Sequence, residues 1–71
     1  MNNLDVLNIA GYKFEPLDDV EVLVPEFQSV CNDLGLKGSV YLSPNGINFS
    51  LAGIEEAVEQ YLRFMEQDKR F

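Results

Sequence analysis

Few residues in this chain have side chains that could do chemistry. Cys31 is the only cysteine, there is no histidine, and adjacent carboxylates occur as Asp18-Asp19 and Glu55-Glu56. A nucleophilic thiol needs a neighbouring base or cation to lower its pKa. Cys31 has no basic neighbour in sequence and falls among apolar residues at helical spacing, as a small core residue does. The two acidic pairs each stand where a helix should begin, so capping and the helix dipole account for them without a metal. The lack of histidine removes the commonest general base and the commonest transition-metal ligand. The expectation is therefore a chain with no catalytic, cofactor-binding or metal-binding residues of its own. The polar residue with most to explain is Asn48, which could bond the backbone of a nearby turn or meet a ligand.

The elements that would position these residues are legible from periodicity. Val6 to Phe14 holds a first strand, with Ala10, Tyr12 and Phe14 alternating against Gly11 and Lys13 as one half-buried face. Glu15-Pro16 ends it, and Asp18-Asp19 opens a helix. Phe27, Val30, Cys31 and Leu34 form an apolar stripe that Val20 and Leu23 extend backward. Pro25 allows two starts, one at the proline itself and one near Asp19 with a distorted first turn; the earlier start is preferred. Gly35 is placed to stop the helix in a left-handed conformation. Next comes a hairpin in which Val40 and Leu42 share a face with Ile47, Phe49 and Leu51. Asn45-Gly46 is a strong two-residue turn signal, with Gly46 supplying positive φ; it would pair Leu42 with Phe49 and Val40 with Leu51. A four-residue loop from Pro44 to Ile47 keeps the same parity. Tyr41, Ser43, Asn48 and Ser50 then lie on the opposite, polar face. A second helix carries Ile54, Ala57, Val58, Tyr61, Leu62 and Met65 as its stripe, with Glu59 and Arg63 paired on the wet side. Lys69 and Arg70 suit its C-terminal end.

The order β-α-β-β-α predicts an α+β, ferredoxin-like fold lacking its final edge strand. Two helices would cover one face of the sheet, and the first and third strands would lie side by side, parallel. The free edge around Ile9 to Lys13, with Lys13 its only charge, would be covered by further polypeptide or by a second copy of the chain. Tyr12, Tyr41 and Phe49 on strands could form a base-stacking surface of the kind found in RNA-binding sheets. Phe49 shares a face with Leu42 and Leu51, however, and basic residues are few, so core packing is the preferred reading for all three. The fold also invites comparison with acylphosphatases. Their chemistry needs a phosphate-binding arginine after the first strand, and the only arginines here are Arg63 and Arg70.

Over nearly its whole length the chain resembles the small N-terminal domain of bacterial rhodanese-like proteins, a group that includes oxygen-dependent tRNA uridine hydroxylases. The similarity is carried by Tyr12-Lys13-Phe14, by Gly38 with Val40 and Leu42, by Gly46-Ile47-Asn48, by Ala52-Gly53 and by the closing Asp68-Lys69-Arg70-Phe71. Where the family has Ala-x-Glu before Gly-Ile-Asn, this chain has Ser43-Pro44-Asn45. The family's catalytic cysteine belongs to a downstream rhodanese domain with a phosphate-cradling loop, and Cys31 does not match it. The resemblance implies the non-catalytic N-terminal accessory domain of a tRNA uridine hydroxylase or a rhodanese-like sulfurtransferase, docked on that downstream domain and meeting tRNA only within the intact protein. Its hairpin, Gly38, Asn45, Gly46, Ile47 and Asn48, would be structural and a candidate interface. The other class of function is a stand-alone interaction module that self-associates through the open edge.

Size and charge bound these readings. Seventy-one residues make one small domain, which buries only about 60% of its unfolded surface. A formal charge of −7 repels phosphate backbones and anionic membranes. The unpaired cysteine fits a reducing compartment. No run of residues is long and apolar enough to span a bilayer, and the N-terminus lacks a signal-peptide pattern. The expected location is cytoplasmic.

Overall fold

The computed structural model describes residues 6–71. They form β1 (Val6–Phe14), α1 (Val20–Leu34), β2 (Lys37–Ser43), β3 (Gly46–Ile54) and α2 (Glu55–Glu66). The sheet has the order β1-β3-β2, and both pairings are antiparallel. The helices pack on one face, giving the α+β, ferredoxin-like arrangement expected. The expected parallel β1–β3 pairing is corrected. The α1 crossover returns β2 parallel to β1, and the hairpin then reverses the chain, so β3 must oppose β1.

The helix α1 takes the earlier of the two starts, with Pro25 inside it and Asp19 at the N-cap. The carbonyl of Asp19 accepts from the N–H groups of Val22 and Leu23, which closes the first turn before Pro25 removes a donor. Gly35 caps the far end at φ 70°, the left-handed conformation that glycine adopts at least cost. The helix buries Leu23 and Phe27.

The hairpin register differs by two residues from the one the Asn45-Gly46 signal suggested. Leu42 pairs with Ile47, Val40 with Phe49 and Ser43 with Gly46, leaving Pro44-Asn45 as the turn. The fixed φ of proline suits the first corner of a tight turn. No non-glycine residue among those described has positive φ, so Asn45 does not take the mirror-image turn conformation. The Asn45 N–H donates to Ser43 Oγ at 3.2 Å. From the other side, Glu15 N–H donates to the Asn45 carbonyl and Leu17 N–H to that of Pro44, at 2.9 and 3.0 Å. An even shift preserves the faces, so Ile47, Phe49 and Leu51 still point into the core.

The expected inward face of β1 is also reversed. Ile9 and Gly11 face the helices opposite Leu51 and Phe49, while Ala10, Tyr12 and Phe14 face away. The Phe49 ring lies directly across Gly11; a Cβ there would stand 2.9 Å from Phe49 Cζ. A neighbouring strand thus fills the space that a larger inward residue of β1 would occupy.

Tyr61 is the centre of the core, with no solvent exposure. Its ring meets Phe49 and Phe27 edge-on at 5.3 and 6.2 Å between centroids. Phe27 in turn contacts Phe64 at 4.9 Å and Phe71 at 5.9 Å. Such edge-to-face pairs add about 0.5–1.5 kcal/mol each beyond buried area. The buried stripe of α2 is Ala57, Val58 and Tyr61. Ile54 and Leu62, expected in that stripe, are 48% and 40% exposed; Ile54 ends β3 opposite Val6 instead of entering the helix.

Beyond α2 a turn places Arg70 between two carboxylates. Its guanidinium donates to both oxygens of Asp19, at 2.8 and 3.1 Å, and to both of Asp68, at 2.7 and 3.0 Å. The Asp19 carboxylate, expected as a helix cap, makes no cap bond and ties the end of the chain to the start of α1. Hydrogen bonds from the Arg70 side chain, then from its backbone N–H, hold the Asp68 carboxyl down to about 2. The same guanidinium holds Asp19 below its usual value.

Candidate functional site

With both helices on one face, the other face of the sheet is bare among the described residues. Strand alternation and register place its side chains in rungs. Tyr12, Asn48 and Tyr41 form one rung across β1, β3 and β2. Phe14 lies beside it, opposite Gly46 and Ser43, and Ala10, Ser50 and Ser39 make the next rung. Asn8, Ala52 and Lys37 follow, and Val6 and Ile54 close the far end.

Tyr12, Phe14 and Tyr41 are 73%, 80% and 69% exposed. Core packing, the reading preferred for Tyr12, Tyr41 and Phe49, therefore holds for Phe49 alone. The signal that could have separated them is Gly11: once Phe49 fills that position, Tyr12 must point the other way. Tyr12 and Phe14 meet edge-to-face at 5.6 Å. With Tyr41, Ser43, Asn45 and Asn48 they line a shallow groove of about 360 Å³.

The electrostatics of this face differ from those of the whole chain. Among the described residues, all eleven acidic side chains lie outside the three strands. The only charged residues in strands, again among those described, are Lys13 and Lys37, and Lys37 belongs to the bare face. Aromatic rings, an amide, hydroxyls and a lysine can stack on and hydrogen-bond a ligand. They supply no nucleophile–base pair.

The five hairpin residues separate by role. Gly46 has φ 147°, and a Cβ there would overlap the Lys13 carbonyl oxygen of β1. Gly38 has φ 124°, and a Cβ there would overlap the Ser50 carbonyl. Both let neighbouring backbones approach closely. Ile47 is buried in the core. Asn45 forms the turn. Of the five, Asn48 alone joins the tyrosine rung.

Cys31 lines a groove of about 320 Å³ of mixed character beside α1, with Phe27, Leu36, Val40 and Leu51 as well as Gln28 and Asn32. Burial pushes its thiol up, the reverse of an activated thiolate. No group of three or more metal-ligating side chains occurs among the described residues. The β1–α1 loop carries Glu15, Asp18 and Asp19, charges that oppose phosphate where an acylphosphatase needs an arginine. No described helix is long and apolar enough to cross a membrane.

Residues 6–71 match the family model described as the UPF0176 acylphosphatase-like domain. The chain belongs to that family. It is also 44% identical over 68 residues to a tRNA uridine(34) hydroxylase of Cupriavidus pinatubonensis, covering 96% of this chain and 24% of that protein. Proteins of the same name from Bordetella avium and Variovorax paradoxus are 44% and 42% identical, with 28% and 26% of their lengths covered. The chain thus spans about a quarter of the length of the curated relatives it matches. The acylphosphatase likeness accords with the fold, three antiparallel strands and two helices.

Proposed function

We propose that this chain is the non-catalytic N-terminal accessory domain of a tRNA-modifying protein. The parent's activity would be oxygen-dependent hydroxylation of a tRNA uridine, carried out by a downstream rhodanese domain against which this domain docks. The observation that carries the reading is identity of 44% across 96% of the chain to a quarter of a tRNA uridine(34) hydroxylase. The half-buried Cys31 supports it, because burial raises its thiol and no base stands beside it in sequence.

Two measurements test this. Hydroxyuridine in bulk tRNA, read by mass spectrometry, should disappear when the gene encoding the chain is deleted, and its persistence would refute the parent activity. The purified 71-residue chain should show neither uridine hydroxylation nor thiosulfate sulfurtransfer. Activity that vanishes on Cys31→Ser would overturn the accessory role.

A second reading is favoured by one observation: β1 has β3 on one side and no strand on the other among the described residues. Its free amides and carbonyls could pair with a second copy of the chain. Sedimentation of the purified chain together with amide exchange from Ile9 to Lys13 separates the readings. A dimer with those amides protected favours self-association. A monomer with them exchanging fast leaves the edge free for polypeptide elsewhere in the parent.

A further inference from the structure

From the bare face of the sheet we infer that it binds unpaired bases of single-stranded RNA, stacked on Tyr12 and Tyr41 and hydrogen-bonded by Asn48. The inference rests on the tRNA-modifying reading and assigns this domain its own contact with the nucleic acid.

Three observations carry it. First, the rings are free. Tyr12 and Tyr41 are 73% and 69% exposed and occupy one rung with Asn48 between them. Strands two apart in a sheet are separated by about 10 Å, enough for two bases to lie side by side, each on its own ring. The Asn48 amide offers both donors and an acceptor to the base edges.

Second, the charge is partitioned. The chain carries −7 overall, but no acidic residue among those described lies on a strand, and Lys37 stands on this face. Phosphates are repelled by the acidic helices and loops and tolerated here.

Third, the face is divided along its length. Serine hydroxyls at positions 39, 43 and 50 surround the aromatic end, whereas the exposed aliphatic residues Val6 and Ile54 gather at the other end. A packed protein interface would draw on the aliphatic end. Aromatic rings among neutral polar groups suit bases, whose flat faces stack and whose edges hydrogen-bond.

The electrostatic share of binding should be small, because Lys37 and Lys13 can neutralise at most two phosphates. With a slope of about −0.7 per phosphate for single strands, affinity should fall about sevenfold or less between 50 and 200 mM salt.

The test is titration of the 71-residue chain with a heptauridine RNA, followed by amide chemical shifts and by fluorescence anisotropy of a labelled strand. Shifts should centre on Tyr12, Phe14, Tyr41 and Asn48. Tyr12→Ala and Tyr41→Ala should each weaken binding by about 5- to 100-fold, the range for losing one stacked base. Tyr12→Leu retains an apolar strand residue without the ring, so it keeps the test valid if the alanine variant is poorly folded. Shifts confined to the helices, no shifts at millimolar RNA, or unchanged affinity in Tyr12→Leu would each overturn the inference. Protection of both tyrosines by polypeptide, seen by hydroxyl-radical footprinting of the RNA-free full-length protein, would likewise overturn it in favour of a protein interface. If binding fails while hydroxyuridine still depends on the gene, this inference falls alone. If binding holds and hydroxyuridine does not depend on the gene, the parent activity falls.

Discussion

Gly46→Ala should destabilise the domain about twice as much as Gly35→Ala, although both glycines have positive φ. At Gly35, φ is 70° and a Cβ would meet no atom within 4 Å. Its replacement costs only the left-handed backbone, about 1–2 kcal/mol. At Gly46, φ is 147° and a Cβ would overlap the Lys13 carbonyl oxygen. That atom belongs to the β1 backbone, so relief requires β1 and β3 to separate at their Phe14–Gly46 end. The adjacent bond from Glu15 N–H to the Asn45 carbonyl, at 2.9 Å, would be lost with it, for about 1 kcal/mol. Adding backbone strain of about 1–3 kcal/mol gives a total of roughly 2–4 kcal/mol. A chain this size has a total stability of about 4–10 kcal/mol, so the variant would forfeit a large fraction of it. At about 4–8 °C per kcal/mol, its melting temperature should drop by roughly 10–30 °C, against roughly 5–15 °C for Gly35→Ala. Circular dichroism melts of both variants beside the parent chain give the comparison. Gly46→Ala melting at or above Gly35→Ala would show that the backbones do not approach as described, and the observed hairpin register would be wrong with them.

Two further predictions concern the core and the chain end. The Tyr61 hydroxyl is buried without a hydrogen-bond partner among the described residues, so Tyr61→Phe should leave stability unchanged or raise it by about 1 kcal/mol; a urea melt showing a loss above about 1 kcal/mol would reveal a partner for that hydroxyl. Asp68 has its carboxyl lowered from 3.8 to about 2 by Arg70. A lowered carboxylate contributes stability that is fully present above the unfolded value and is lost as pH falls through the folded one, so melting temperature should decline between about pH 4 and pH 2. Arg70→Gln should flatten that decline, and an unchanged slope in the variant would dissociate the acid sensitivity from the Arg70 contacts.

Local pattern alone was enough for the element order, both helices and the stop at Gly35. Each depends on residues close in sequence: a 3.6-residue apolar repeat, an Asp at a helix start, a glycine at a helix end. The two faces of the hairpin followed in the same way, because an even loop fixes which residues share a side whatever the exact turn. The turn itself was decided by tertiary contact. Asn45-Gly46 is a good local turn signal, yet Gly46 is needed inside the sheet, where the Lys13 carbonyl leaves no room for a side chain. Pro44-Asn45 turns instead, held by the amides of Glu15 and Leu17. The orientation of β1 was likewise decided by tertiary contact. Tyr12 and Phe14 look like inward residues beside Gly11 and Lys13 until Phe49, thirty-eight positions away from Gly11, is seen to fill the glycine's place. That one packing event turns the tyrosine rung outward and creates the candidate site. Hydrophobicity read along a chain cannot register it, because the volume that decides which face is buried comes from another strand.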